Sequence, residues 1–213
     1  MIIRDLYGSI FLNDIILRNR ISNEFIFNRI AQFIFENIGK TTSFKKITDT
    51  LNSFGYKTAN TTVEHYIESI QKAYCLYHCP RFDVNGKHLL KTNGKFYTVD
   101  FGLRNYIIPQ KGINRGFILE NVVFLELLKK GYKVYTGKVG RDYEIDFVAQ
   151  KGNEILYVQV AESILDPETR KREGRVFELI GGKHRKIIVS LDLHDFESDN
   201  YDHFSIFDFI NVI

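Results

Sequence analysis

Apolar positions recur at helical spacing three times in the first third of the chain. Over residues 24–39 they are Phe25, Ile26, Ile30, Phe33, Ile34 and Ile38, which predicts a helix stopped by Gly39. Thr42 or Ser43 has the chemistry of an N-cap for a second helix, with Phe44, Ile47 and Leu51 inward and Gly55 at its end. Asn60 or Thr61 opens a third, whose Val63, Tyr66, Ile67, Ile70 and Ala73 share one face. Two extended stretches follow, 75–82 and 95–100, around a turn at Gly86. Three helices and a hairpin in this order predict a winged helix-turn-helix unit, whose third helix would lie in a DNA major groove. Its outward positions carry Glu64, His65, Glu68 and Gln71. Two carboxylates facing phosphates are repelled, which favours packing or protein contact over base reading.

After Pro109 the pattern changes. Residues 116–130 read as an apolar helix stopped by Gly131, and three strand-like runs follow at 132–136, 143–150 and 154–161. Lys151-Gly152-Asn153 is hairpin turn chemistry. Asp166-Pro167 opens a basic helix that reaches about Leu179, Gly181-Gly182 ends it, and 186–191 is a short buried strand. The crossover from third to fourth strand implies that they are parallel. The expected class is α+β or α/β: a helical lead-in at 1–23, a winged helix-turn-helix-like domain at 24–110 and an α/β domain with a mixed sheet at 111–213.

With 44% hydrophobic and 26% charged residues, the chain has the composition of a globular protein and not of a disordered one. It has no apolar run of the roughly 18 residues that span a membrane, and its first residues lack the build of a secretory signal. Two cysteines, Cys75 and Cys79, make no disulfide framework. The expectation is a cytoplasmic protein without membrane contact. All 29 basic residues lie in 1–186 with 20 of the 26 acidic ones, a surplus of nine that favours an anionic partner, DNA or RNA.

Gly39-Lys40-Thr41 has the end of a phosphate-binding loop, but Ile34 stands where its first Gly must be, so no nucleotide is expected. Cys75, His78 and Cys79 lack the second ligand pair of a zinc site and read as small core residues. No Ser/His/Asp or Cys/His nucleophile pattern stands out. Asp146 lies among Ile145, Phe147 and Val148, and Gln159 between Val158 and Val160: polar residues inside strands. A tight turn at 151–154 sets Asp146 opposite Gln159, and alternation puts Glu144, Asp146 and Val148 on a face with Tyr157, Gln159 and Ala161. Glu120 reaches towards the same edge. Two carboxylates and an amide oxygen make a hard site of the kind that holds Mg²⁺ or Mn²⁺; an edge-strand Asp, or one held by an Arg, is the plainer alternative.

Seven segments carry a resemblance: 119–123 with 127–132, 144–149, 157–161, 169–173, and upstream 97–105 with 80–83. Together they resemble the C-terminal half, a domain of unknown function, of a family of archaeal and bacterial AAA-type ATPases. The resemblance implies a winged helix joined to a PD-(D/E)XK nuclease-like fold, with the P-loop ATPase half on a partner or on another part of a longer protein. Carried over, it assigns the helix carboxylate to Glu120, the strand carboxylate to Asp146 and the third ligand to Gln159. The catalytic Lys position falls on Ala161, and Lys138 or Arg141 approaches from another direction. Arg170, Lys171, Arg172 and Arg175 form a phosphate-neutralising cluster. The expected function is a nucleic-acid-associated accessory module with a degenerate pocket. A Mg²⁺- or Mn²⁺-dependent endonuclease and a non-catalytic protein-interaction module remain the alternatives.

Overall fold

Side-chain caps decide where the first helices begin. In the computed structural model, which describes residues 14–109, 112, 114–194 and 196–212, a single turn, α1 (Ile16–Arg18), leads to α2 (Glu24–Glu36), α3 (Phe44–Ser53) and α4 (Asn60–Lys72). The Asn23 side chain accepts from the Ile26 N–H at 3.0 Å, and the Ser43 hydroxyl from the Lys46 N–H at 3.1 Å. Each satisfies a donor that the first helical turn leaves over. α2 ends short of Gly39, where the Asn37 amide donates back to the Phe33 carbonyl at 2.8 Å. Gly39, at φ +77°, then turns its N–H to the Phe96 carbonyl. α4 departs from the expected cap. It follows Ala59 without a side-chain cap; the Asn60 side-chain oxygen accepts from the Thr48 hydroxyl at 3.3 Å and ties α4 to α3 instead.

α2, α3 and α4 bury Phe27, Ile30, Ile34, Ile47, Val63, Ile67 and Ile70. Phe25, expected on the apolar face, is exposed; it packs edge-on against Tyr56, with the Arg29 guanidinium over both rings. A hairpin of β1 (Leu76–Asp83) and β2 (His88–Thr98) follows, then α5 (Phe101–Ile107), capped by Asp100. Thr42 exchanges backbone hydrogen bonds with Gly94.

The chain divides into two units, and the hairpin is shared between them. The first takes the chain up to His78 and 93–112; the second takes 79–92 and everything from residue 113. The expected division left the whole hairpin in 24–110. Its outer part belongs instead to the second unit, because β1 pairs in parallel with a strand there, Arg81 opposite Thr136 and Asp83 opposite Lys138.

The second unit continues with α6 (Arg115–Lys129), β3 (Lys133–Val139), β4 (Tyr143–Lys151), β5 (Glu154–Val160), α7 (Pro167–Glu178), β6 (Arg185–Ser190), β7 (Asp202–Ser205) and α8 (Ile206–Val212). The fold is mixed α/β, with eight helices among the described residues and a seven-stranded mixed sheet in the order β2-β1-β3-β4-β5-β6-β7. β3, β4 and β5 are antiparallel neighbours, and β5, β6 and β7 run parallel. α7 covers one face through Val176 and Phe177, which pack with Val148, Tyr157, Ala161, Ile164 and Ile188. α6 covers the other, where Phe124 meets Phe147 at 6.0 Å between ring centroids. No helix among the described residues is long and apolar enough to cross a membrane.

One irregularity matters for the site. Tyr135 pairs with Val148 and Gly137 with Ile145, so Asp146 and Phe147 together oppose Thr136 alone. This β-bulge breaks the alternation of β4. Ile145 and Val148 both pack into the α7-side cluster, which strict alternation forbids. Asp146 therefore does not share a face with Val148 and Gln159 by periodicity, as the sequence suggests.

Candidate functional site

The strand polar residues meet where the β4–β5 ladder opens. Its last regular pair is Phe147 with Val158. Beyond it, side chains replace the backbone pairing: the Asp146 N–H donates to the Gln159 side-chain oxygen at 3.2 Å, and the Val160 N–H donates to Asp146 Oδ2 at 2.9 Å. The Gln159 amide then donates to Glu173 Oε2 on α7 at 2.9 Å, and Glu173 Oε1 accepts from Arg172 at 2.8 and 3.1 Å. A four-residue chain thus runs from the bulge to the surface of α7. It fixes the amide orientation, since the reverse would set the Gln159 NH₂ against the Asp146 N–H and its oxygen against the Glu173 carboxylate.

The two strand residues are brought together; the helix carboxylate is not shown to join them. Glu120 is buried on α6, which packs on the Phe147 face, whereas Gln159 belongs to the α7 face. Ion pairing of Arg115 with Glu162 at 3.8 Å ties the first turn of α6 to the segment after β5. Ala161 is buried among Ile164, Val176 and Phe177, in an apolar setting for a catalytic cation. Lys138 lies opposite Glu144 on β4 and Asp83 on β1, and its charge helps hold the Asp83 carboxyl below its ordinary range, behind the Gly86 N–H as the main cause.

Two of the three expected ligand oxygens meet here, those of Asp146 and Gln159. The Gln159 oxygen accepts from one backbone N–H and Asp146 Oδ2 from another, which leaves both less available to a divalent cation. Among the described residues no three His, Cys, Asp or Glu side chains stand together as a metal-binding group. Mn²⁺ should accordingly leave the melting temperature of the wild type and of Asp146→Asn unchanged. A Mn²⁺-dependent rise in the wild type that Asp146→Asn abolishes would overturn that.

The four basic residues of α7 are better placed. Arg170 lies over the Phe196 ring at 4.5 Å, Arg175 over the Tyr143 ring at 5.5 Å, and Arg172 is paired with Glu173. Lys171 is exposed. Lys171, Arg172, Glu173, Arg175, Tyr143 and Gln159 line a recess of about 500 Å³, within the range of about 300–1,000 Å³ typical of small-ligand pockets. Of the carboxylates around it, Glu144 is bound by Arg81 at 2.5 Å and Glu173 by Arg172, while Glu168 is exposed.

The family model of a domain of unknown function, DUF8612, matches residues 1–114, more than half of the chain. The chain belongs to the DUF8612 family. An uncharacterised protein of Haemophilus influenzae is 39% identical over 189 residues, covering 89% of this chain and 46% of that protein. Uncharacterised protein MJ1544 of Methanocaldococcus jannaschii is 28% identical over 182 residues, 83% of this chain and 40% of its own. This DUF8612 protein therefore spans less than half the length of these relatives. Protein VC1899 of Vibrio cholerae, a crystal structure, aligns over 79% of this chain and 47% of its own at 8% identity and a TM-score of 0.30, too loose a likeness to bear on the fold. The recess lies beyond the segment that the DUF8612 model matches.

A second polar cluster of this DUF8612 member escaped the sequence pattern. Asp192 accepts from the Ile164 N–H at 2.7 Å, the Ser163 hydroxyl at 2.8 Å and the Ser190 hydroxyl at 2.9 Å, and Ser190 also meets His203 Nε2 at 2.9 Å. Burial alone raises the Asp192 carboxyl; the Ile164 N–H, the two serines and the His203 charge outweigh it and hold the group below its ordinary value. The serine stands between carboxylate and imidazole and is fully buried. The geometry is that of a cross-link between the loop after β5 and the strands β6 and β7, not of an activated nucleophile, in which the imidazole must stand between the two. Ser163, Ser190, Asp192 and His203 have no common spacing, so only the fold unites them.

Proposed function

We propose that the second unit is a nuclease-like module that holds nucleic acid without cutting it efficiently. In this reading the first unit is a winged-helix scaffold for packing or protein contact, and the chain works as the back half of a larger AAA-type ATPase. The observation that carries it is the state of the α7 cations. On a merely solvated helix face, long basic side chains are unconstrained; here Arg170 and Arg175 are stacked on rings and Arg172 is locked to a carboxylate beside a recess. Holding them in place beforehand lowers the ordering cost of contacting phosphates. Phosphate contacts position without reading sequence, which agrees with Glu64 and Glu68 on the helix that would otherwise read bases. Cleavage is slow because Ala161 supplies no cation, a loss worth on the order of 10²- to 10³-fold. The longer relatives leave room for an ATPase half, although this chain's Gly39-Lys40-Thr41 lies at a helix end and not in a phosphate loop.

Fluorescence anisotropy with labelled oligonucleotides across a salt series is the test. Log affinity should fall steeply with log salt, with little difference between sequences. The quadruple variant Arg170→Ala, Lys171→Ala, Arg172→Ala, Arg175→Ala should reduce the slope by about one for each phosphate no longer engaged. Binding that the variant leaves untouched would remove the reading and favour a protein-interaction module.

A further inference from the structure

Resting on that reading, we propose that the recess between the start of β4, the end of β5 and the exposed face of α7 receives one unstacked base of a single-stranded nucleic acid. Three features of the recess match the face of a base, its hydrogen-bonding edge and the phosphate beside it.

The first is a flat, cationic wall. Tyr143 is half-buried, packed against the α7-side core, and carries the Arg175 guanidinium over its ring at 5.5 Å. An arginine supported on an aromatic ring presents a planar cation to solvent, and bases stack on guanidinium planes as they do on aromatic rings. The second is a directional group at the floor. The Gln159 amide nitrogen has two hydrogens and spends one on Glu173. The other is left to meet an acceptor on a base edge, from a side chain whose orientation is already fixed by Asp146 and Glu173. The third is the rim, where Lys171 and Arg172 are exposed within reach of a phosphate. A volume of about 500 Å³ holds a single nucleotide, whereas a stacked duplex has no free base to offer it.

The proposal makes strand state the discriminating variable. A labelled 12-mer, as DNA and as RNA, is titrated against the same sequence as a blunt duplex, with wild type, Arg175→Lys, Gln159→Glu and the quadruple α7 variant. The single strand is expected to bind at least tenfold tighter than the duplex, and the DNA and RNA arms report whether the 2′-hydroxyl matters. Arg175→Lys keeps the charge and, at an exposed position, leaves the fold intact, but removes the plane; it should erase most of the single-strand preference while leaving the salt slope unchanged. Gln159→Glu replaces the donor with a second carboxylate against Glu173 and should erase it too, with circular dichroism checking the fold. Equal affinity for both strand states with a wild-type dependence on α7 charge defeats the recess proposal and spares the electrostatic reading. A single-strand preference that survives Arg175→Lys also defeats it. Binding no better than that of the quadruple variant defeats both.

Discussion

Replacing Asp192 with Ala is expected to lower the unfolding free energy at neutral pH by about 3–5 kcal/mol. Three donors lose their acceptor at once: the Ile164 N–H, the Ser163 hydroxyl and the Ser190 hydroxyl, all within 2.9 Å of the carboxylate. Ile164 and Ser190 are completely buried, so water cannot take the place of the carboxylate. Each stranded buried donor costs about 1–3 kcal/mol, and breaking a buried charged network costs about 3–5 kcal/mol in total. The effect has a pH signature. The carboxyl is depressed in the folded chain, so its contribution is fully present above the unfolded value of about 3.9 and fades as pH falls through the lower folded value. Urea denaturation at pH 7 should separate wild type from variant widely, and the gap should close below about pH 4. Equal midpoints at pH 7, or a gap that widens in acid, would show that the cross-link is dispensable.

Gly137→Ala should destabilise, by less, for an opposite reason, the addition of one methyl group. A Cβ there falls 2.4 Å from Ile145 Cγ2, 2.8 Å from Val148 Cγ2 and 3.1 Å from Val84 Cγ2. The bulge turns Ile145 and Val148 to the same side, and both lean over the space that glycine leaves. Overpacking of a closed core costs about 1–3 kcal/mol. At about 2–4 °C per kcal/mol for a chain of this size, the melting temperature should drop by roughly 2–12 °C. Gly181→Ala is the control, because a Cβ there meets nothing within 4 Å. A melt for Gly137→Ala that matches the control would mean that the bulge tolerates repacking.

The same glycine explains why part of the site was illegible in the sequence. The hairpin pairing of β4 with β5 follows from the turn at 151–154, and Asp146 does meet Gln159. The face that Asp146 occupies is set by β3, where one small residue lets two residues of β4 oppose one; no periodicity within 143–151 records that. Caps behave likewise. Ser43 acts as its chemistry suggests, but Asn60 spends its side chain on Thr48, a contact between helices. β7 leaves no apolar signature, because its inward residues are His203 and Ser205, polar groups with partners such as Ser190 and Asp208. The carboxylate chain Asp146–Gln159–Glu173 needed α7 in place, and its residues alone point equally to a metal.

The hairpin divided between the units bears on how this protein can be taken apart. Composition suggests a cut near Pro109, yet residues 79–92 belong with the second unit and reach it through β1, the parallel neighbour of β3. A fragment starting at residue 113 keeps β3 and its pairing with β4 but strips β1, leaving the backbone groups of Thr136–Lys138 unpaired on that edge. Open strand edges recruit other strands. Such a piece is liable to self-associate, and its clumping would report the missing edge strand and nothing about the oligomeric habit of the intact chain.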